Sequence, residues 1–520
     1  MKSLHRLLIV GGGAGGLELA TQLGNTLGKN KLANITLVDQ LLMHFDSVAI
    51  FEAPFGTSKS PKGTKIVDKY ACGSPGRPAY ARYDTTRCHN FTSTNDLSTV
   101  LWTLYFAFGK TSGTTVYQGL SASLLRRFLG RQRWKPLWHE VAAGSLDSNV
   151  NELNFKVHAH RHSFYFELGK MVNLNRKEKY IELAPISDPE NNELLISSRK
   201  IFYDTLIISI GSIANDFGTK GAKENCFYLD KYHQLYRFRQ HFLNQFLLME
   251  HNINTPLNIA IIGGGATGVE LAAELREASK NAFHYGLAHI NPLTQVNITL
   301  IEASPTLLQG LSTKLIQSVM EVLKDRNISV MTGERVVEVT PAGVKTESNT
   351  WIPAQIKVWT AGIKAPAFLK NLEGLETNSL NQLLVKPTLQ TTMDNAIFAF
   401  GDCASCPYPG HDKPVPARAQ AAHQQADFLI KAINLLLHEK ELPTFRYKDQ
   451  GSLITLSHYT AIGSISNWLK RFKLEGKIAR LTYLLLYKMH QYRLHGFWNV
   501  FLMTLADFLL WKIKPRLKLH

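Results

Sequence analysis

The sequence predicts an α/β protein of two doubly wound units followed by a helical C-terminal region. Three observations predict it. A thirteen-residue segment recurs almost unchanged, as GGGAGGLELATQL at 11–23 and GGGATGVELAAEL at 263–275, with nine identical positions. Each copy follows a short apolar run (7–10 and 259–262) and opens an amphipathic helical pattern. Of the 520 residues, 45% are hydrophobic and 19% charged, enough apolar matter for large cores and too much for a disordered chain.

In each copy an apolar strand meets a Gly-rich turn and then a helix. Gly11, Gly13 and Gly16, and again Gly263, Gly265 and Gly268, have G-x-G-x-x-G spacing. Such glycines let the backbone approach a pyrophosphate, whose charge the helix N-terminus then holds. A second apolar run ends in an acid in both units, ITLVD at Asp39 and ITLIE at Glu302. An acid there accepts hydrogen bonds from adenosine ribose hydroxyls. The carboxylate of Glu302 would also repel a 2′-phosphate, which favours NADH over NADPH. Glu302 lies 39 residues past Gly263, whereas Asp39 lies 28 past Gly11, so the second crossover is expected to carry an insertion around 281–295. Each unit closes with an apolar strand and a glycine turn, at 203–212 and at 355–363, the latter containing Gly362. Two Rossmann-like dinucleotide-binding domains in one chain imply electron transfer between two cofactors.

The run IFAFGDCA at 397–404 delivers Gly-Asp at a strand end, where Asp402 can meet a flavin ribityl chain. With this third signature the chain resembles the flavoproteins with two dinucleotide-binding domains, in which the first site takes FAD and the second NAD(P)H. Disulfide reductases of that group carry a cysteine pair after the first acid strand, and residues 134–147 contain none. Cys403 and Cys406 form C-x-x-C inside the Gly-Asp loop, read here as packing in preference to a redox pair or a zinc site, so no metal is expected.

Downstream, PARAQAAHQQA places Gln420 and Gln424 four residues apart on one helix face. They are either solvent-facing or donors to a quinone carbonyl. Together, WKPLWHEVAAGSLD at 134–147, the Gly-Asp loop and AQxAxQ are similar to the type II NADH:quinone oxidoreductases, over residues 1–40 and 134–520. The resemblance implies bound FAD, NADH as substrate and a quinone as acceptor. It places Lys135 and Pro136 by the flavin and makes Gln420 and Gln424 quinone-contacting residues. It also puts Glu270 near the flavin–nicotinamide junction, for proton handling or positioning. Because Glu270 is the repeat counterpart of Glu18, a purely structural role at the helix start stays open. His423, with no visible partner, is not expected to take part.

These readings give an FAD-binding domain in two parts, 1–217 and 391–435, an NADH-binding domain within 218–390, and a C-terminal region at 436–520. The family has only a few residues between the Asp39 strand and WKPL, whereas here a long segment, about 41–133, intervenes. Three readings of it compete: a small fold of its own, a passive translated insertion, or a partner-binding module.

Charge is uneven. The chain carries +17, of which residues 468–520 hold +9 and residues 41–133 hold +7, leaving the body almost neutral. That argues against a nucleic-acid binder, whose body would be basic. The tail interleaves its cations, Arg493 among them, with Trp468, Phe497, Trp498, Phe501, Phe508 and Trp511. Its longest charge-free stretch, 494–506, is too short to span a bilayer. It therefore reads as amphipathic helices on a lipid surface, at the inner (cytoplasmic) face of the cell membrane. A helical pair packed on the body, or a homodimer seam, remains open. The rival enzymatic reading is a ferredoxin-type reductase, which needs no such tail.

Overall fold

The computed structural model describes residues 4–40, 131–132, 138–143, 153–188, 191–251, 256–284, 291–456, 461–465 and 474–510. Lys135, Pro136, nearly all of the 41–133 segment, Trp468 and Trp511 lie outside the described residues.

In chain order, the elements that build the site begin with β1 (His5–Val10), α1 (Ala14–Leu23), β2 (Ala33–Asp39), α2 (Trp138–Ala143), β3 (Tyr165–Leu168) and β4 (Thr205–Ile208). There follow β5 (Phe227–Tyr228), α3 (Tyr232–His251), β6 (Leu257–Ile262), α4 (Ala266–His284), β7 (Val296–Glu302), β8 (Ile328–Thr332) and β9 (Ile356–Trp359). The last are β10 (Ile397–Ala399), α5 (Ala419–Leu437), β11 (Gly451–Thr455), α6 (Gly476–His495) and α7 (Phe497–Leu510).

Two five-stranded parallel sheets result. Their orders are β10-β4-β1-β2-β3 and β5-β9-β6-β7-β8. The central strands are buried on both faces, so Leu7, Leu8, Ile9 and Val10 form a continuous apolar run, as do Ile259, Ala260, Ile261 and Ile262. Each sheet is joined by a three-stranded antiparallel meander, at 171–202 between β3 and β4 and at 336–353 between β8 and β9.

The long spacing to Glu302 has a specific source. α4 runs 19 residues where α1 runs 10 and continues through a five-residue π-helical stretch, Gly24–Gly28, and a short helix, Pro292–Gln295, precedes β7. The helix α2 also packs away from the first sheet. Ala142 and Ala143 lie in one apolar cluster with Phe238 and Phe242 of α3, Val269 and Leu271 of α4, and Ile454 of β11. A piece of the first sequence half thereby completes the core of the second unit.

Candidate active site

The two Gly turns repeat at the level of single atoms. Gly11 and Gly263 have φ of +110° and +114°, a region L side chains rarely adopt. A Cβ on Gly16 would stand 1.9 Å from the Gly11 carbonyl oxygen, and one on Gly268 would stand 2.0 Å from that of Gly263. Ser209 Oγ donates to the Gly11 carbonyl and Thr360 Oγ1 to that of Gly263, each at 3.0 Å, pinning the turn from the neighbouring strand end. Sequence reasoning passed over this pair, although S-x-G and T-x-G are legible at both places. At the crest, a side chain on Gly13 or Gly265 would meet nothing within 4 Å. α1 has no side-chain cap, so its first N–H groups are open to an anion. That open cradle fits the pyrophosphate of FAD in the first unit and of NADH in the second.

Both acids at the ends of β2 and β7 are held by their own turns. Asp39 accepts from the Gly12 N–H, and Glu302 accepts from the N–H groups of Gly264 (2.6 Å) and Ser304 (2.8 Å). Asp402 follows Gly401, whose φ is +73°, and accepts from Ser212 Oγ at 2.8 Å. Gly362 also has positive φ, but a Cβ there would meet the Phe217 ring at 2.4 Å, so its open side faces protein. Burial pushes the Cys403 and Cys406 thiols up to about 12, which disfavours the thiolate that redox or metal chemistry needs.

Glu270 sits in the first turns of α4 and is buried. Its Oε1 accepts from Thr455 N–H (2.9 Å) and Thr455 Oγ1 (3.1 Å) on β11, while its Oε2 faces His139 Nδ1 of α2 at 3.5 Å. Burial raises its carboxyl above the usual range, against the opposing pull of His139 and the Thr455 bonds. Nothing in the sequence links these three positions, which are brought together only by the packing of α2 and β11 on α4.

Gln420 and Gln424 do share one face of α5, but that face is turned to chain. Gln420 Nε2 donates to Asp449 Oδ1 (3.3 Å) and to the Gly451 carbonyl (3.1 Å), and its Oε1 accepts from Gln450 N–H. Gln424 donates to the Lys448 carbonyl (2.8 Å) and accepts from Lys448 N–H (2.9 Å). Both alternatives in the sequence, solvent or quinone, omitted this use. The two amides hold residues 448–451, the lead-in to the strand that carries Thr455.

His423 has the partner that the sequence did not reveal. Its Nδ1 lies 2.8 Å from Glu18 Oε2, and Glu18 is buried. Arg493 of α6 donates to Glu18 Oε1 (2.6 Å) and to Asp427 Oδ1 (2.7 Å). Arg493 therefore docks the C-terminal helix on α1 and α5, which corrects its reading as a cation facing lipid. Glu18, His423 and Asp427 have the spacing of metal ligands, with Arg493 placed where a cation would sit. Burial alone would raise Glu18, but His423 and Arg493 outweigh it and hold the carboxyl below its usual range.

Residues 5–426 match the family model described as pyridine nucleotide-disulphide oxidoreductase. A type II NADH:quinone oxidoreductase of Haemophilus influenzae is 36% identical over 99% of this chain and 100% of its own length. A probable NADH dehydrogenase of Dictyostelium discoideum is 32% identical over 53% of this chain and 63% of its own. The solved structure of NDH2 from Plasmodium falciparum with NADH has the same fold, with a TM-score of 0.68, 16% identity and 99% of both chains covered. Two closely matching dinucleotide turns, the Gly-Asp loop at the end of β10 and this full-length relative lead to one conclusion: the chain belongs to the type II NADH:quinone oxidoreductases.

Proposed function

We propose that the protein works as a monotopic enzyme on the inner face of the cell membrane, with α6 and α7 as its lipid contact. The enzyme takes hydride from NADH onto FAD and passes two electrons to a quinone, without pumping protons. FAD supplies the two-electron relay; this chain's residues bind and orient. In this reading Gly11, Gly13, Gly16, Asp39 and Asp402 hold FAD. Gly263, Gly265, Gly268 and Glu302 hold NADH, and Glu270 holds a proton near the junction.

The supporting observation for the membrane is the outer face of α7. Phe497, Trp498, Phe501, Leu502, Leu505, Phe508 and Leu509 recur at helical spacing and are all exposed, Trp498 to 73%. Among the described residues no helix is long and apolar enough to cross a membrane. An apolar face of that length beside basic residues suits burial at the headgroup boundary. An inner-face location follows from supply, since NADH is the donor.

Deleting the tail would also strip Arg493 from Glu18, so the sharper test keeps the tail. In W498E/F501E/F508E protein, NADH should still bleach the flavin and a water-soluble quinone should still restore it. Flotation with anionic vesicles should be lost. Unchanged flotation refutes the assignment. Conversion of a dimer to a monomer by the same substitutions would make this face a homodimer seam instead.

A further inference from the structure

Glu270 is one member of a closed buried triad whose other two members, His139 and Thr455, have no part in the reading above. All three are buried: His139 and Glu270 are 3% and 7% exposed and Thr455 is fully buried. The hydrogen-bond directions leave one consistent assignment. The Thr455 N–H and Oγ1–H both point at Glu270 Oε1. With its hydrogen committed to Glu270, Thr455 Oγ1 can only accept from His139 Nε2, which lies 3.3 Å away. His139 therefore carries its hydrogen on Nε2, and Nδ1 presents a lone pair to Glu270 Oε2 across 3.5 Å. Since Oε1 is filled by two donors, a proton on this carboxyl belongs on Oε2.

We propose that His139 is the positioning residue that holds a single transferable proton on Glu270 Oε2, with Thr455 setting the ring's tautomer. This rests on the reading of Glu270 as the proton-handling group. The pair is neutral either as carboxylic acid with imidazole or as carboxylate with imidazolium, so the proton moves between them without creating net buried charge. Of the neighbouring ionisable groups, His139 favours the carboxylate and Glu140 disfavours it. The balance of the reaction leaves one place for such a proton. NADH brings a hydride, that is two electrons and one proton, and quinol formation consumes one more. The Glu270 O–H bond breaks, the proton ends in an O–H of the quinol, and solvent reloads the pair. Gln420 and Gln424 enter indirectly, because they anchor the segment leading into Thr455.

The test uses the FAD-loaded, full-length enzyme and two readouts. By infrared difference spectroscopy the wild type should show a carboxylic-acid band that is absent in Glu270→Gln. That band should shift in both His139→Gln and Thr455→Val. In stopped flow, His139→Gln should leave flavin reduction by NADH intact. Reoxidation by a water-soluble quinone should slow by about tenfold, a fraction of what a group acting directly in proton transfer supplies, with a flattened pH profile. Reoxidation by ferricyanide, which takes no proton, should not change. An unshifted band, or a merely scaled pH profile, overturns the role of His139. If Glu270→Gln itself reoxidises normally with quinone, the reading of Glu270 fails instead. Should His139→Gln not fold, Thr455→Val decides by the same criteria.

Discussion

Glu18 and Glu270 occupy the same position of the same motif, two residues beyond the last glycine of each turn, inside G-L-E-L and G-V-E-L. Both are buried. Yet Glu18 is held below the usual carboxyl range and Glu270 above it. The difference lies in what packs on the helix. Over α1, α5 brings His423 and α6 brings a guanidinium, so burial is outweighed by charge. Over α4, α2 and β11 bring an imidazole at 3.5 Å and a threonine, so burial wins. A motif repeated in both units thus supplies one carboxylate fastened by an ion pair and one carboxyl whose proton affinity burial raises, and the elements laid on it decide which.

The largest expected effect breaks the first site. Arg493→Ala leaves Glu18 buried beside His423 without its guanidinium, which should cost about 3 kcal/mol, the low end for splitting a buried pair because Arg493 is partly exposed. Urea unfolding should register it, and limited proteolysis should cut α6 first. An unchanged midpoint would mean the pair does not fasten the tail.

Next comes the contrast between the two strand-end acids, Asp39 and Glu302. Glu302→Ala should cost NADH about 1.5–3 kcal/mol of charge-assisted bonding and so move the kcat/KM ratio towards NADPH. FAD content should be untouched. Asp39→Ala should do the reverse, losing FAD at unchanged nucleotide preference. Loss of FAD from the Glu302 variant would refute the division of labour.

The two glutamates should also give opposite pH dependences, each limited to about 1.4 kcal/mol per pH unit for one proton. Glu18, with its folded value lowered below 4.5, stabilises the fold above that pH, and the contribution disappears as pH falls through the lowered value. Glu270, raised above 4.5, binds its proton more tightly when folded. Its contribution is present below 4.5 and is lost as pH rises through the raised value. Unfolding midpoints across pH should therefore show Glu18→Gln weaker at neutral pH and Glu270→Gln neutral or stronger there. Equal slopes would erase the distinction.

The smallest effect sharpens it. Gln424→Leu removes two partly exposed bonds to Lys448 and should cost about 1 kcal/mol. Quinone reoxidation should slow more than flavin reduction, through displacement of Thr455. Equal slowing of both would indicate general loosening.

The sequence by itself determined the two parallel sheets, the Gly turns, Asp39, Glu302 and Asp402. All of these are written within ten or so residues by strand and helix periodicity and by backbone that only glycine tolerates. It also carried the family. Tertiary structure alone decided that Gln420 and Gln424 grip residues 448–451, that Arg493 docks on Glu18, and that His139 and Thr455 face Glu270. Those contacts join positions 24 to 475 residues apart. They depend on which helix lies over which sheet, and a carboxyl's proton affinity follows its neighbours in space, so two nearly identical local sequences end with proton affinities shifted in opposite directions.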